Sequence, residues 1–348
     1  MEHATSNTLV AAAAALAASG KGVLAIDETP RTLTSRFDAL GIVSTPESRR
    51  DYRELLIGTP GLAEFISGVI LNEETLRQQA VDGAAMPAFV TRCGLIPGVK
   101  VDRGVYPLAG APGESVTEGL DGLRDRLLEF RDLGAQFTKW RAVFTIGPGL
   151  PTSTCVEANA HALARYAGLA QEAGLVPMVE AEVLMDGDHS IERAYEETEA
   201  VLRAVFTQLA TQRVLLEGMV LKPNMVASGL AALVQAASIE VAKRTLACLR
   251  RNVPAAVPGV LFLSGGQPDE QATRNLDAIA QAGAAHGAPW QLSFSFARAL
   301  QREPLAEWLG RPDAVEAAQH TLHRRASLVH AARCGVLTPE LERALGTR

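Results

Sequence analysis

The sequence predicts an α/β fold built as one closed (β/α)8 TIM barrel. Three observations point there. Eight short apolar or β-branched runs recur along the chain, and most gaps between them hold helical stretches rich in Ala, Leu, Glu and Arg. The turn after the first run reads Asp27-Glu-Thr-Pro30, not the glycine-rich G-x-G-x-x-G of a nucleotide turn. Alternating strand and helix predicts a parallel sheet covered by helices, and at 348 residues closure into a barrel is the economical solution. An open doubly wound sheet is the alternative, and the missing glycine turn counts against it. No low-complexity linker or break in composition divides the chain, so residues 1–348 are expected to form one domain, with an N-terminal helix and a short C-terminal tail.

The runs in order are Gly22–Asp27, Phe65–Asn72, Gly98–Asp102, Phe137–Phe144, Val176–Val183, Gly218–Lys222, Gly259–Ser264 and Gln291–Phe296. Each is short, apolar and bounded by turn residues. Helices are expected over Gly119–Leu133, Asn159–Ala173, Ser190–Thr211, Ser238–Asn252 and Asp269–Gly283, with further helix from about Leu305. Met86–Arg92, in the gap before the third run, carries the weakest pattern. The alanine-rich stretch Leu9–Ala18 is too short to span a bilayer and follows Met-Glu-His instead of a basic leader, so it reads as an ordinary helix and the protein as cytoplasmic.

Composition narrows the partners. A formal charge of -6 gives no basic footprint for nucleic acid or an anionic membrane, which leaves a small molecule. Cys93, Cys155, Cys248 and Cys334 lie far apart, with no C-x-x-C pair and no zinc spacing, and read as reduced, isolated thiols.

In a barrel of this kind the chemistry gathers at the C-terminal ends of the strands. Those ends carry Asp27, Glu73, Lys100, Lys139 with Arg141, Glu180 with Glu182, Lys222, Ser264 and Arg298. Lys139 and Arg141 are two apart, as are Glu180 and Glu182, so each pair shares one strand face, while Trp140 and Ala181 take the other. Lys222 ends an apolar run and precedes Pro223. Desolvation there disfavours its ammonium form, and Lys139 or Lys100 nearby would add repulsion, so the amine becomes a nucleophile toward carbonyl carbon. With carboxylates available to move protons, lysine, acid and base together point to aldol chemistry. A ring of salt bridges that merely closes the barrel mouth is the inert alternative.

Anion sites are also legible. Ser264-Gly265-Gly266 follows the seventh run, where small residues let an anion approach backbone N–H groups, and Arg298 follows the eighth as a planar, permanently charged fork. Together they form one expected phosphate site. Arg36, Lys100 and Arg141 offer a second cationic group.

The chain resembles class I fructose-bisphosphate aldolase along nearly its whole length. The motifs are Gly22-Val-Leu-Ala-Ile-Asp-Glu-Thr29, Val99-Lys-Val-Asp-Arg-Gly104, Thr138-Lys-Trp-Arg141, Val179-Glu-Ala-Glu182, Leu221-Lys-Pro-Asn-Met-Val226, Phe262-Leu-Ser-Gly-Gly-Gln267 and Trp290-Gln-Leu-Ser-Phe-Ser295. The resemblance implies a (β/α)8 barrel, usually a homotetramer, that cleaves a sugar bisphosphate, fructose 1,6-bisphosphate, to the triose phosphates dihydroxyacetone phosphate and glyceraldehyde 3-phosphate with no metal or other cofactor. It implies that Lys222 forms the Schiff base, that Glu180 assists loss of water, and that Glu182 tunes the lysine charges. It further implies that Asp27 accepts the C4 hydroxyl proton and that Lys139 lowers the amine pKa. Ser264, Gly265, Ala297 and Arg298 would hold the C1 phosphate. Arg36, Thr29, Thr32 and Lys100 would hold the other phosphate and the open-chain hydroxyls, with Arg141 close by.

Departures from the family pattern matter too. Ala297 stands where the family often has glycine, which is tolerable unless φ must be positive. Thr29 replaces a serine. Many members end in a tail with a terminal tyrosine that aids proton exchange at C3, whereas no tyrosine follows Tyr195 here, leaving another group or water to move that proton. Two rival functions stay open at this point: a divalent-metal lyase using Glu180 and Glu182, which the lysines oppose, and a non-catalytic barrel that only binds phosphorylated ligands.

Overall fold

A computed structural model describes residues 3–346, so the two residues at each end of the predicted domain, 1–2 and 347–348, lie outside the described residues. Ten strands form. They are β1 (Gly22–Ala25), β2 (Ile66–Leu71), β3 (Ile96–Lys100), β4 (Val105–Pro107), β5 (Ser115–Thr117), β6 (Phe137–Phe144), β7 (Val176–Val183), β8 (Val220–Pro223), β9 (Gly259–Phe262) and β10 (Gln291–Phe296). Eight close into a parallel barrel in the order β1-β10-β9-β8-β7-β6-β3-β2, which is the expected (β/α)8 architecture. The sequence did not announce β4 and β5. They form a two-stranded antiparallel ribbon after β3, and β4 is exposed throughout and ends in proline, so no apolar alternation marks it.

Helices fall where the patterns place them, including Leu123–Asp132, Ser153–Glu172, Ile191–Thr211, Ser238–Asn252 and Asp269–Ala285. The weak stretch Met86–Arg92 is a short helix that buries Met86, Pro87 and Val90. Residues after Leu305 complete the helix Arg298–Trp308 and add Val315–Arg333 and Pro339–Gly346.

Alternation along each strand divides the barrel into two environments. Outward residues such as Val179, Ala181, Leu221 and Phe262 join the large core shared with the helices. Inward residues near the strand starts form a second core of Val23, Ile70, Phe137, Val176, Met178, Val220 and Leu261, and Leu9, Ala13 and Leu16 of the N-terminal helix His3–Leu16 pack against it. That helix plugs the barrel bottom, which accounts for its buried apolar residues. No described helix is long and apolar enough to cross a membrane. Glycine makes room for aromatic rings on both faces of the sheet. A Cβ on Gly98 would lie 2.3 Å from the Phe137 ring of the inner core, and one on Gly22 would lie 2.4 Å from the Phe294 ring of the outer core.

Candidate active site

The same parity that puts Phe137, Met178 and Val220 in the plug puts Lys139, Glu180 and Lys222 directly above them, facing inward at the top of the barrel. They line a cavity of about 540 Å³ at the C-terminal ends of the strands. Glu180 stands in register with Arg141 on one neighbour strand and with Lys222 on the other, and Lys100 is in register with Lys139.

These charges are buried and paired. The Nζ of Lys139 lies 2.6 Å from Asp27 Oδ2 and 2.8 Å from Glu180 Oε2. The Nζ of Lys222 lies 3.1 Å from Glu180 Oε1, and each of these two side chains is only 4% exposed. Lys139 therefore has two carboxylates and Lys222 shares one of them. That asymmetry separates the two amines. Burial pushes the Lys222 amine below the ordinary lysine range; Glu180 opposes that shift and the Lys139 charge adds to it. For Lys139, burial also acts downward, but Asp27 and Glu180 outweigh it and hold the ammonium above its ordinary range. Burial alone would raise both acids. Instead Lys139 and Lys222 hold Glu180 below the usual carboxylate range and bring Asp27 down to about 2. The cation that acts on Lys222 is thus Lys139. Lys100 turns the other way, its Nζ on the Asp102 carboxylate and 3.2 Å from the Asp102 carbonyl.

Arg141 donates from Nε to Glu182 Oε2 at 2.6 Å, so the ion-pair partner of Glu182 is this arginine and not a lysine. Both line the cavity. Asp102 accepts the Arg141 backbone N–H at 3.1 Å as well as the Lys100 ammonium, fixing the two cations relative to each other.

Two places can receive an anion. At the first, Ser264 and Gly265 follow β9 and Ala297 and Arg298 follow β10. Gly265 and Gly266 have φ of +61° and +88°, a left-handed path that favours glycine, and a Cβ on Gly266 would approach Arg298 Nη2 to 3.1 Å. The two loops therefore meet. Ala297 has φ of -105°, so its methyl group is compatible with the backbone there. At the second, Thr29 caps the helix Pro30–Asp38, accepting the Thr32 N–H at 3.2 Å, and the two hydroxyls are 3.0 Å apart. Arg36, later on that helix, reaches the same cavity.

Every residue the resemblance assigns to the site lines this one cavity, while Gly266, next to Gly265, lines a neighbouring one. Glu73 is the exception among the charged strand ends. It opens the short helix Glu73–Leu76 and accepts from Arg77 at 3.0 Å, because Ile70 points inward and Glu73, three residues on, falls on the opposite parity. Buried Asn72, which caps that helix, donates to the Glu28 carbonyl at 3.0 Å. The sequence reading passed over Glu28, Asp102 and Ser295, which also line the cavity. Asp102, two residues from Lys100, and Ser295, two from Ser293, carried a parity signal. Glu28 did not, since it lies beyond the strand where alternation has ended.

Known proteins match this chain over nearly its whole length. Residues 8–347 match the family model "Fructose-bisphosphate aldolase class-I". A probable fructose-bisphosphate aldolase class 1 of Xanthomonas campestris is 56% identical, over 86% of this chain and 89% of its own. The fructose-bisphosphate aldolase of Dictyostelium discoideum is 45% identical, over 98% of this chain and 95% of its own. Among solved structures, the fructose-bisphosphate aldolase of Plasmodium falciparum superposes with a TM-score of 0.94 at 43% identity, covering 97% of both chains.

Proposed function

Since this chain belongs to the class I fructose-bisphosphate aldolase family, we propose a division of labour within its cavity. The enzyme is an aldehyde-lyase that cleaves fructose 1,6-bisphosphate reversibly to dihydroxyacetone phosphate and glyceraldehyde 3-phosphate, through a lysine Schiff base and without a metal. The observation that carries the residue assignment is that one buried carboxylate, Glu180, is shared by Lys222 and Lys139 at 3.1 and 2.8 Å.

The neutral Lys222 amine adds to C2 of the open-chain ketose. Glu180 passes the proton that the new C–N bond makes acidic to the C2 oxygen, giving the neutral carbinolamine, and then delivers a second proton, taken up from solvent, to the C2 hydroxyl, which leaves as water to give the iminium. Lys139 stays charged throughout, holding Glu180 and Asp27 ionised and disfavouring a second charge on Lys222. Asp27 then accepts the C4 hydroxyl proton as the C3–C4 bond breaks. The bond electrons pass to the iminium as an enamine, and glyceraldehyde 3-phosphate leaves. Protonation at C3 and addition of water release dihydroxyacetone phosphate and restore Lys222.

Ser264, Gly265, Ala297 and Arg298 hold the C1 phosphate in this assignment, as small residues and a planar cation suit an oxyanion. Thr29, Thr32, Arg36 and Lys100 serve the other phosphate and the chain hydroxyls, with the Arg141–Glu182 pair beside them. We further propose a homotetramer, the usual assembly of the family, and a cytoplasmic location; light scattering and cell fractionation test these.

The direct test is cleavage of fructose 1,6-bisphosphate by purified enzyme in excess EDTA, with and without Lys222→Ala. Turnover should withstand the chelator and vanish in the variant. Turnover that the chelator abolishes, or that the variant retains, overturns the assignment.

A further inference from the structure

Resting on the aldolase reading, we propose that Glu28 is a specificity-determining residue, an internal counter-ion that occupies Arg36 until a substrate phosphate displaces it. Glu28 follows Asp27 and has no part in the steps above. Its carboxylate lines the cavity with a side chain only 7% exposed. Oε1 accepts from Arg36 Nη1 at 2.6 Å and from Gln301 Nε2 at 2.8 Å, while Oε2 is buried with no hydrogen-bond partner among the described residues. A buried carboxylate with half its acceptor capacity unused is not a settled structural ion pair. It also sits among groups suited to an anion: the Thr29 and Thr32 hydroxyls, the first turn of their helix, and Arg36 itself. A phosphate entering there meets a cation already neutralised and a negative charge in its way.

The scaffold lets the side chain move without disturbing the residue before it. The Glu28 carbonyl accepts from Arg53 Nη2 at 2.7 Å and from Asn72 Nδ2 at 3.0 Å, and Arg53 Nε donates to the Ile26 carbonyl at 3.1 Å. The backbone on both sides of Asp27 is therefore pinned independently of the Glu28 carboxylate. Gln301 adds a link to the other anion site. It lies three residues after Arg298 on the same helix, and its Nε2 also donates to the Ala25 carbonyl at 2.7 Å. A dianionic phosphate can compete for Arg36 where a neutral hydroxyl cannot. Glu28 thus sets a threshold that a phosphorylated ligand passes and an unphosphorylated sugar does not, and it weakens product binding enough for release.

Titration of inorganic phosphate into the full-length enzyme by calorimetry tests this without turnover. Glu28→Gln keeps the shape and removes the charge, and should tighten phosphate binding about fivefold or more. Gln301→Met frees the carboxylate from its second donor and should tighten binding to a smaller extent, deciding the matter alone if the first variant does not fold. The gain should disappear in Glu28→Gln combined with Arg36→Met. In steady state, Glu28→Gln should lower KM for fructose 1,6-bisphosphate without raising kcat. Unchanged or weaker phosphate binding in the folded single variants overturns the proposal, as does a gain that survives loss of Arg36. Failure of the aldolase reading would instead show as absence of wild-type cleavage, while the phosphate titration still decides the role of Glu28.

Discussion

Lys222 and Glu180 face each other in register on adjacent strands, with Nζ 3.1 Å from Oε1. The distance suits proton transfer in either direction, and the second carboxylate oxygen is tied to Lys139 at 2.8 Å. One acid can therefore serve the attack of the amine and the loss of water, while the lysine behind it keeps a fixed charge.

Removing that charge should change the pH dependence of Schiff-base formation. Lys139→Met takes away a positive neighbour of Lys222 and leaves Glu180 to Lys222 alone. Both changes favour the ammonium form, so the amine pKa rises. The rate of borohydride trapping against pH should move to higher pH, with little trapping near neutrality. An unmoved profile would mean that burial alone sets the amine.

Asp27→Asn separates covalent binding from cleavage. Lys222 and Glu180 remain in contact, so the ketose phosphate adduct should still form, while kcat for cleavage falls by about 10²–10⁴ because no base accepts the C4 proton. Loss of the adduct together with cleavage would place Asp27 in the earlier steps.

The same carboxylate links the site to acid stability. Asp27 titrates at about 2 when folded against an ordinary value of 3.8. A folded pKa below the unfolded one contributes stability that is complete above the unfolded value and lost as pH falls from 3.8 toward 2. The contribution is roughly 2 kcal/mol. Urea unfolding at successive pH values should show this loss in the wild type and a flatter curve in Asp27→Asn. Parallel curves would contradict it.

The barrel plug makes a purely structural prediction. Gly98→Ala drives a Cβ to 2.3 Å from the Phe137 ring, in a core closed from below by the N-terminal helix. Overpacking of this kind should cost about 1–3 kcal/mol and lower the melting temperature by several degrees. A melting temperature equal to that of the wild type would show that Phe137 has room to shift.

What the sequence disclosed follows physical lines. Eight apolar runs separated by helical patterns are enough for a closed parallel barrel, because each run must bury both faces. The spacing of Lys139 with Arg141 and of Glu180 with Glu182 puts their side chains on one face, and all four line the cavity while Trp140, Val179 and Ala181 join the outer core. Legibility ended where the strands did. Past the last paired residue, parity depends on where the ladder stops, so Glu73 reads as a rim residue although it turns to Arg77. Glu28 was overlooked for the same reason. The β4–β5 ribbon lacks any buried alternation to reveal it. The division of two buried lysines into one lowered and one raised amine needs distances that no spacing rule provides.

The central claim is that Lys222 forms the covalent intermediate with no metal required. Intact-mass spectrometry after borohydride reduction in the presence of dihydroxyacetone phosphate and EDTA tests it most directly, on the wild type and on Lys222→Ala. The account predicts one reduced substrate adduct on the wild type and none on the variant. An adduct on both proteins, or on neither while the wild type still cleaves fructose 1,6-bisphosphate, would contradict it.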